Sequence, residues 1–157
     1  MLNEKCMKNR MFLLLALLFV GACDDDDNNS SNSKITEVKT KAIDGQWKVT
    51  YFFDTDTDET DNFNGYVFDF GSNDVITATK GATTHSGSWS VTDDDSGDDN
   101  SNGDFDDIDF NIAFSSPSDF EELSEDWEII SQTSTKIELR HVSGGNGGTD
   151  LLTFEKL

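Results

Sequence analysis

From Ile43 onward, apolar and polar residues alternate along the chain, the period-two signature of strands with one buried face. In the first run Trp47, Val49, Tyr51 and Phe53 fall on one face, with Gln46, Lys48 and Thr50 on the other. Tyr66, Phe68 and Phe70 repeat the pattern after an acidic loop. Gly71-Ser72-Asn73-Asp74 then reads as a tight turn into a strand over Val75 to Lys80. A fourth strand covers Ser86 to Thr92, with Gly87, Trp89 and Val91 on one face. Asp106 to Phe114 follows a second acidic loop, with Ile108, Phe110, Ile112 and Phe114 inward and Asp107, Asp109 and Asn111 outward. Trp127 to Ser131, Lys136 to Val142 and Leu151 to Lys156 complete the set, and the Gly144–Gly148 loop joins the last two.

One helical signal interrupts the strands. Ser116-Pro117 and Ser118 to Glu121 offer a cap, a proline in the first turn and a capping box, for a helix of one or two turns ending near Ser124. It directs Phe120 and Leu123 to the core and its acids to solvent. Eight short sequential strands predict an all-β, eight-stranded antiparallel up-and-down barrel, because closure removes the exposed edges of an open sheet. A two-sheet sandwich is the alternative.

The segment before the strands is patterned differently. Met11 to Val20 is an uninterrupted apolar run behind Lys5, Lys8 and Arg10, and it ends in Val20-Gly21-Ala22-Cys23. A basic start, a short apolar stretch and small residues before a cut define a secretory signal peptide over 1–22, too short to span a bilayer. Met7 is an alternative start within the same signal. The cysteine after the small pair resembles the lipobox of bacterial lipoproteins, which implies an acyl anchor on Cys23 and partnership with a membrane through lipid alone. Asp24 to Ser33, with four aspartates and no apolar residue, reads as the start of a solvated tether over 23–43. Acids directly behind the lipidated cysteine also resemble the surface-export signal of Bacteroidota lipoproteins, implying an outer-membrane protein displayed at the cell surface.

Charge narrows the partners. The 157 residues carry 32 acids against 11 Lys and Arg, a net charge of −21, and loss of the signal with its three cations and one acid takes this to −23. Such a chain repels nucleic acid and anionic headgroups and attracts divalent cations and basic surfaces. Cys6 leaves with the signal and Cys23 is consumed by the anchor, so the folded part has no disulfide, thiolate metal site or cysteine nucleophile.

Two acidic loops are candidate cation sites. In the first, Asp54, Asp56, Asp58, Glu59 and Asp61 alternate with threonines and can turn several oxygens toward a hard ion. In the second, Asp98, Asn100 and Asn102 occupy positions 1, 3 and 5 of a calcium-loop pattern, with Gly103 at the turn, then Asp104, Asp106 and finally Asp109. Asp109 replaces the usual glutamate and no helix flanks the loop, so calcium is a possible cofactor only of a free loop, and a solvated connection is the alternative reading. Catalysis has little support. His85 and His141 have no nucleophile elbow beside them, and the Gly144 loop lacks the Lys-Ser or Lys-Thr of a phosphate loop. With this many acids, some carboxylate pair at a glycosidase spacing is unavoidable and uninformative. The chain reads as no enzyme.

Gly45-Gln46-Trp47 on the first strand, Gly87-Ser88-Trp89 on the fourth and the closing Leu152-Thr153-Phe154-Glu155 together resemble the lipocalin-like domain of Bacteroidota lipoproteins, over 44–157. The resemblance implies a barrel whose open mouth holds one small apolar ligand, through inward residues such as Tyr51, Phe53, Tyr66, Phe68 and Phe110. It also implies that Trp47 plugs the closed end while Gly45 lets the chain cross the floor closely; Trp89 and Trp127 read as core. The competing function is a structural or interaction lipoprotein with a filled core and an acidic face that contacts an envelope partner with or without calcium.

Overall fold

The computed structural model describes residues 27–93, 105, 108–144 and 147–157. The signal segment, Cys23, Asn100 and Asn102, and the acids Asp98, Asp104 and Asp106 lie outside these. Within them, α1 (Asp27–Ile43) leads into β1 (Gln46–Asp54), the two-residue β2 (Thr57–Asp58) and a 3-10 turn (Thr60–Phe63). Then come β3 (Val67–Phe70), β4 (Val75–Lys80), β5 (Thr83–Asp93), β6 (Ile108–Ala113), α2 (Ser118–Glu121), β7 (Asp126–Gln132), β8 (Lys136–Val142) and β9 (Thr149–Lys156).

Every strand pairs antiparallel with its neighbour, in the order β2-β1-β3-β4-β5-β6-β7-β8-β9, and β1 also pairs with β9. The eight longer strands therefore close an up-and-down barrel, with β2 a flap on the end of β1. Alternation is legible in the packing: Phe68 and Phe70, Ile76 and Ala78, Trp89 and Val91, and Ile108, Phe110 and Ile112 are all buried. Gly87 is needed in β5 because a Cβ there would strike the Ala113 carbonyl and the Phe114 ring across the barrel wall.

Two bulges alter the expected faces. Val49 pairs with Phe154 and Tyr51 with Thr153, leaving Thr50 as an extra residue in β1. One inserted residue sends every later side chain to the opposite face. Phe52 is thus fully buried, while Tyr51 is 38% exposed and stacks on Phe53 outside, ring centroids 6.3 Å apart. The expectation that Tyr51 and Phe53 face inward is corrected accordingly. In β7 the extra residue is Ile130, between the pairs Ile129↔Leu139 and Ser131↔Glu138. This bulge turns Gln132 inward, where its Nε2 donates to the Val38 carbonyl at 3.1 Å.

The second departure is α1, which occupies ground that the sequence reading gives to the tether. Ile35, Val38 and Ala42 lie at helical spacing, and Val38 and Ala42 are fully buried with Ile35 packed beside them. The helix closes the barrel end where β1 begins: Trp47 Nε1 donates to the Ala42 carbonyl at 2.8 Å, and Lys39 lies 3.6 Å from Asp74 in the β3–β4 turn. No described helix is long and apolar enough to cross a membrane.

The expected short helix is present as α2, with Phe120 and Leu123 buried and 3-10 bonds from Leu123 to Phe120 and from Ser124 to Glu121 carrying the turn to Ser124. The capping box does not form. Pro117 holds the cap position in extended conformation with no side-chain cap bond, and the Ser118 hydroxyl reaches only the Asp119 carboxylate at 3.4 Å.

Candidate functional site at the barrel mouth

The end opposite α1 is covered by two short elements, each supplying one phenylalanine. The 3-10 turn is tied to β1, because Thr60 Oγ1 accepts from the Phe52 N–H at 2.8 Å and the Glu59 N–H donates to the Phe52 carbonyl at 2.9 Å. This places Phe63, 1% exposed, over the Phe52 ring at 5.5 Å. From the other side α2 inserts Phe120. Its ring lies 5.3 Å from Phe63, 5.1 Å from Tyr66, 6.0 Å from Phe68, 4.8 Å from His85 and 5.2 Å from Phe114. Most of these contacts are edge-on or tilted, the favoured aromatic geometry.

Of the expected ligand contacts, Tyr66 and Phe68 meet here through Phe120. Phe110 lies deeper, against Phe70 at 5.4 Å and Trp89 at 5.7 Å. Tyr51 and Phe53 are on the outer wall. At the far end Trp47 is fully buried, with Lys156 Nζ 5.9 Å from its ring centroid, and Gly45 has φ +123 in the space Lys156 crosses. Asp109 stands on β6 opposite Thr92 and Glu128.

Two histidines border the mouth. The Tyr66 hydroxyl and His85 Nε2 are 3.4 Å apart. His141 lies between carboxylates, Nδ1 3.4 Å from Asp150 and Nε2 3.6 Å from Glu125. Asp150 is itself buried and fixed by the Thr55 N–H at 2.8 Å and hydroxyl at 3.2 Å. The group braces β8 and β9 against the loop after β1 and the turn before β7.

The first acidic loop divides its carboxylates. Asp58 accepts from the Thr60 N–H at 3.0 Å, and the Thr60 contacts hold it below its ordinary value; Asp61 accepts from Asn64 at 2.7 Å. Asp54 and Glu59 instead turn toward Glu122 at the end of α2, and one oxygen of each lies within 4.8 Å of the others. Burial raises Glu122 first, then its hydrogen bond to Glu59, and the nearby charges of Glu59, Asp54 and Asp119 add to this, pushing it up to about 7. Glu122 as a residue is solvent-exposed, so water moderates each of these effects. Asp54 is raised by burial and by Asp150 and Glu59, against a hydrogen bond from Thr55 that lowers it. The acidic run signals Asp54 and Glu59; nothing in the spacing signals Glu122, 63 residues on from Glu59.

Three clefts lined by described residues open on the outer wall. The largest, about 420 Å³, lies over β3 and β4 between Gln46, Asp69 and Thr79. Another of about 330 Å³ lies over β5 and β6 between Asp74 and Asp126, and a third of about 240 Å³ beside Ile130 and Arg140. None of the three is lined by the rings at the mouth. No family model matches the chain, and neither a curated protein nor a solved structure matches it.

Proposed function

We propose that this chain is an envelope lipoprotein, anchored by acyl chains on Cys23 at the outer membrane and displayed at the cell surface, whose lipocalin-like barrel is an interaction module with a filled core. The observation that carries the filled core is the meeting of Phe63 and Phe120, rings 5.3 Å apart, in the mouth where an apolar ligand would enter. The surface available to a partner is acidic: Asp56, Asp58, Asp61, Asp119, Glu121 and Glu122 are exposed around that mouth. Charge of this density favours a basic partner surface over nucleic acid or anionic lipid.

A titration of the mature chain with the apolar probe 1-N-phenylnaphthylamine at pH 6 tests the filled core. No saturable one-to-one binding is expected; a stoichiometric complex displaced by fatty acid would replace the module with a container. The anchor is tested separately, since Cys23→Ser is expected to remain uncut and to take up no labelled acyl chain. Acyl label on that variant would remove the lipoprotein assignment. A second reading, binding of a small apolar ligand, is favoured by one feature: the ring filling the mouth belongs to a four-residue helix and not to the barrel wall.

A further inference from the structure

We propose that α1 is a releasable strap: it folds onto the barrel end where β1 begins, and peels away as a unit at Asp44-Gly45 while the barrel stays folded, turning 17 residues of helix into tether. Two independent features support this. The composition of α1 makes it helical only while docked, and docking buries a polar atom that finds no partner.

Eight of the 17 residues of α1 are Asn, Ser or Thr, and Ala42 is its only alanine. An isolated helix of that length is marginal even in a good sequence, and these residue types favour caps and turns over helix interiors. What holds α1 is its contact with the barrel, where Val38 and Ala42 are fully buried and Ile35 packs beside them. Trp47 Nε1 donates to the Ala42 carbonyl at 2.8 Å, next to the end of the helix. The Lys39–Asp74 pair, 3.6 Å apart, is open to solvent on both sides and so adds little. The Lys41–Glu37 pair lies within the helix and leaves with it.

Gln132 supplies the second feature. The bulge at Ile130 turns it inward beneath α1, where it is 7% exposed and its Nε2 donates to the Val38 carbonyl at 3.1 Å. Its Oε1 is buried and, among the described residues, has no hydrogen-bond partner. A buried acceptor without a partner keeps its full desolvation cost, and undocking α1 relieves it by admitting water. The docked state is thus weakened at its own point of contact.

Asp44-Gly45 separates α1 from β1, and Gly45, at φ +123, is the hinge. Release stops there, because the Leu157 N–H donates to the Gln46 carbonyl at 2.9 Å and β1 is paired with β9 from Trp47 onward. The gain in reach rests on the anchor at Cys23 proposed above: 17 further residues of tether span about 55–60 Å when fully extended. The acidic mouth then meets partners well beyond the membrane surface. The release itself does not depend on the anchor.

Native-state hydrogen exchange of the unlipidated mature chain, carrying Cys23→Ser, in a series of low urea concentrations tests the strap. After correction for intrinsic rates, the amides of Val38 to Ile43 are expected to exchange together, about a hundredfold or more faster than the slowest amides of β8 and β9, and with little dependence on urea. Gln132→Met fills the same space without the unpaired oxygen and leaves the Val38 carbonyl its bond within the helix. It is expected to slow exchange in α1 by about tenfold. Amides of α1 that exchange at the rate and urea dependence of the strands would overturn the strap, as would protection that rises steadily toward Ile43, which is fraying. Fast exchange unchanged by Gln132→Met would overturn the part given to Gln132. Because this chain carries no lipid, each result stands whatever becomes of the anchor.

Discussion

Removing the Phe120 ring would empty a space that five other rings already bound. A buried phenylalanine cut to alanine costs about 3–5 kcal/mol, the transfer loss plus the cavity left behind. Phe120→Ala is therefore expected to lower stability by that order in urea unfolding at pH 6, whereas Tyr51→Ala, on the outer wall, changes it by about 1 kcal/mol or less. The contrast tests the bulge at Thr50 directly, since unbroken alternation would bury Tyr51. Two glutamates give opposite slopes against pH. Glu138 is held below its ordinary value by the Lys136 hydrogen bond and then by Ser131, so it lends stability that is lost as pH falls through its folded value. Glu122, raised from 4.5 to about 7, takes stability away as pH rises between those values. In thermal melts, Glu122→Gln is expected to exceed the parent at pH 8 and to match it at pH 4. Glu138→Gln is expected to fall below the parent at pH 7 and to approach it in acid.

Strand positions were largely legible, because alternation needs only the local sequence and Val75–Lys80 and Lys136–Val142 begin and end where the pattern does. The bulges were not legible, since Val49-Thr50-Tyr51 alternates perfectly and only pairing with β9 shows Thr50 to be extra. Helix α1 was obscured by composition. Ile35, Val38 and Ala42 are spaced for one helical face, yet the surrounding Asn, Ser, Thr and Lys weaken the signal, and threonine gains local bonds only once the helix exists. Thr36 and Thr40 do so, donating to the Asn32 and Thr36 carbonyls at 2.8 and 2.7 Å. The helix is held by tertiary contact, so Val38→Ala is expected to cost about 1.5–3 kcal/mol. Deleting 27–43 is expected to shift Trp47 emission to the red, since Trp47 loses the Ala42 carbonyl and its cover; unchanged emission would mean that α1 does not close that end. Of the mouth, Phe68 was legible as an inward strand residue and Tyr66 as the aromatic just before that strand, while the convergence of Asp54, Glu59 and Glu122 depends on two chain segments meeting only in the fold.

At the scale of the whole molecule, closure and charge oppose each other. The barrel leaves no long open sheet edge between β1 and β9, which are paired over most of β1, so the usual route to edge-to-edge aggregation is blocked. The acids repel one another throughout, and that repulsion is screened over about 10 Å at 0.1 M salt. Raising sodium chloride from low to physiological strength is therefore expected to raise the melting temperature. Magnesium at equal ionic strength should do the same through screening. A further rise with calcium alone would mean a specific calcium site in one of the two acidic loops.

The position of α1 also sets a leash length. If Cys23 carries the lipid, only Asp24, Asp25 and Asp26 separate it from the first turn of α1, a reach of about 10 Å even when fully extended. Because α1 closes the barrel end where β1 begins, such an anchor would put the bilayer on that side of the protein. Phe63 and Phe120 are buried at the opposite pole, so a lipid on Cys23 would leave the barrel mouth facing away from the membrane.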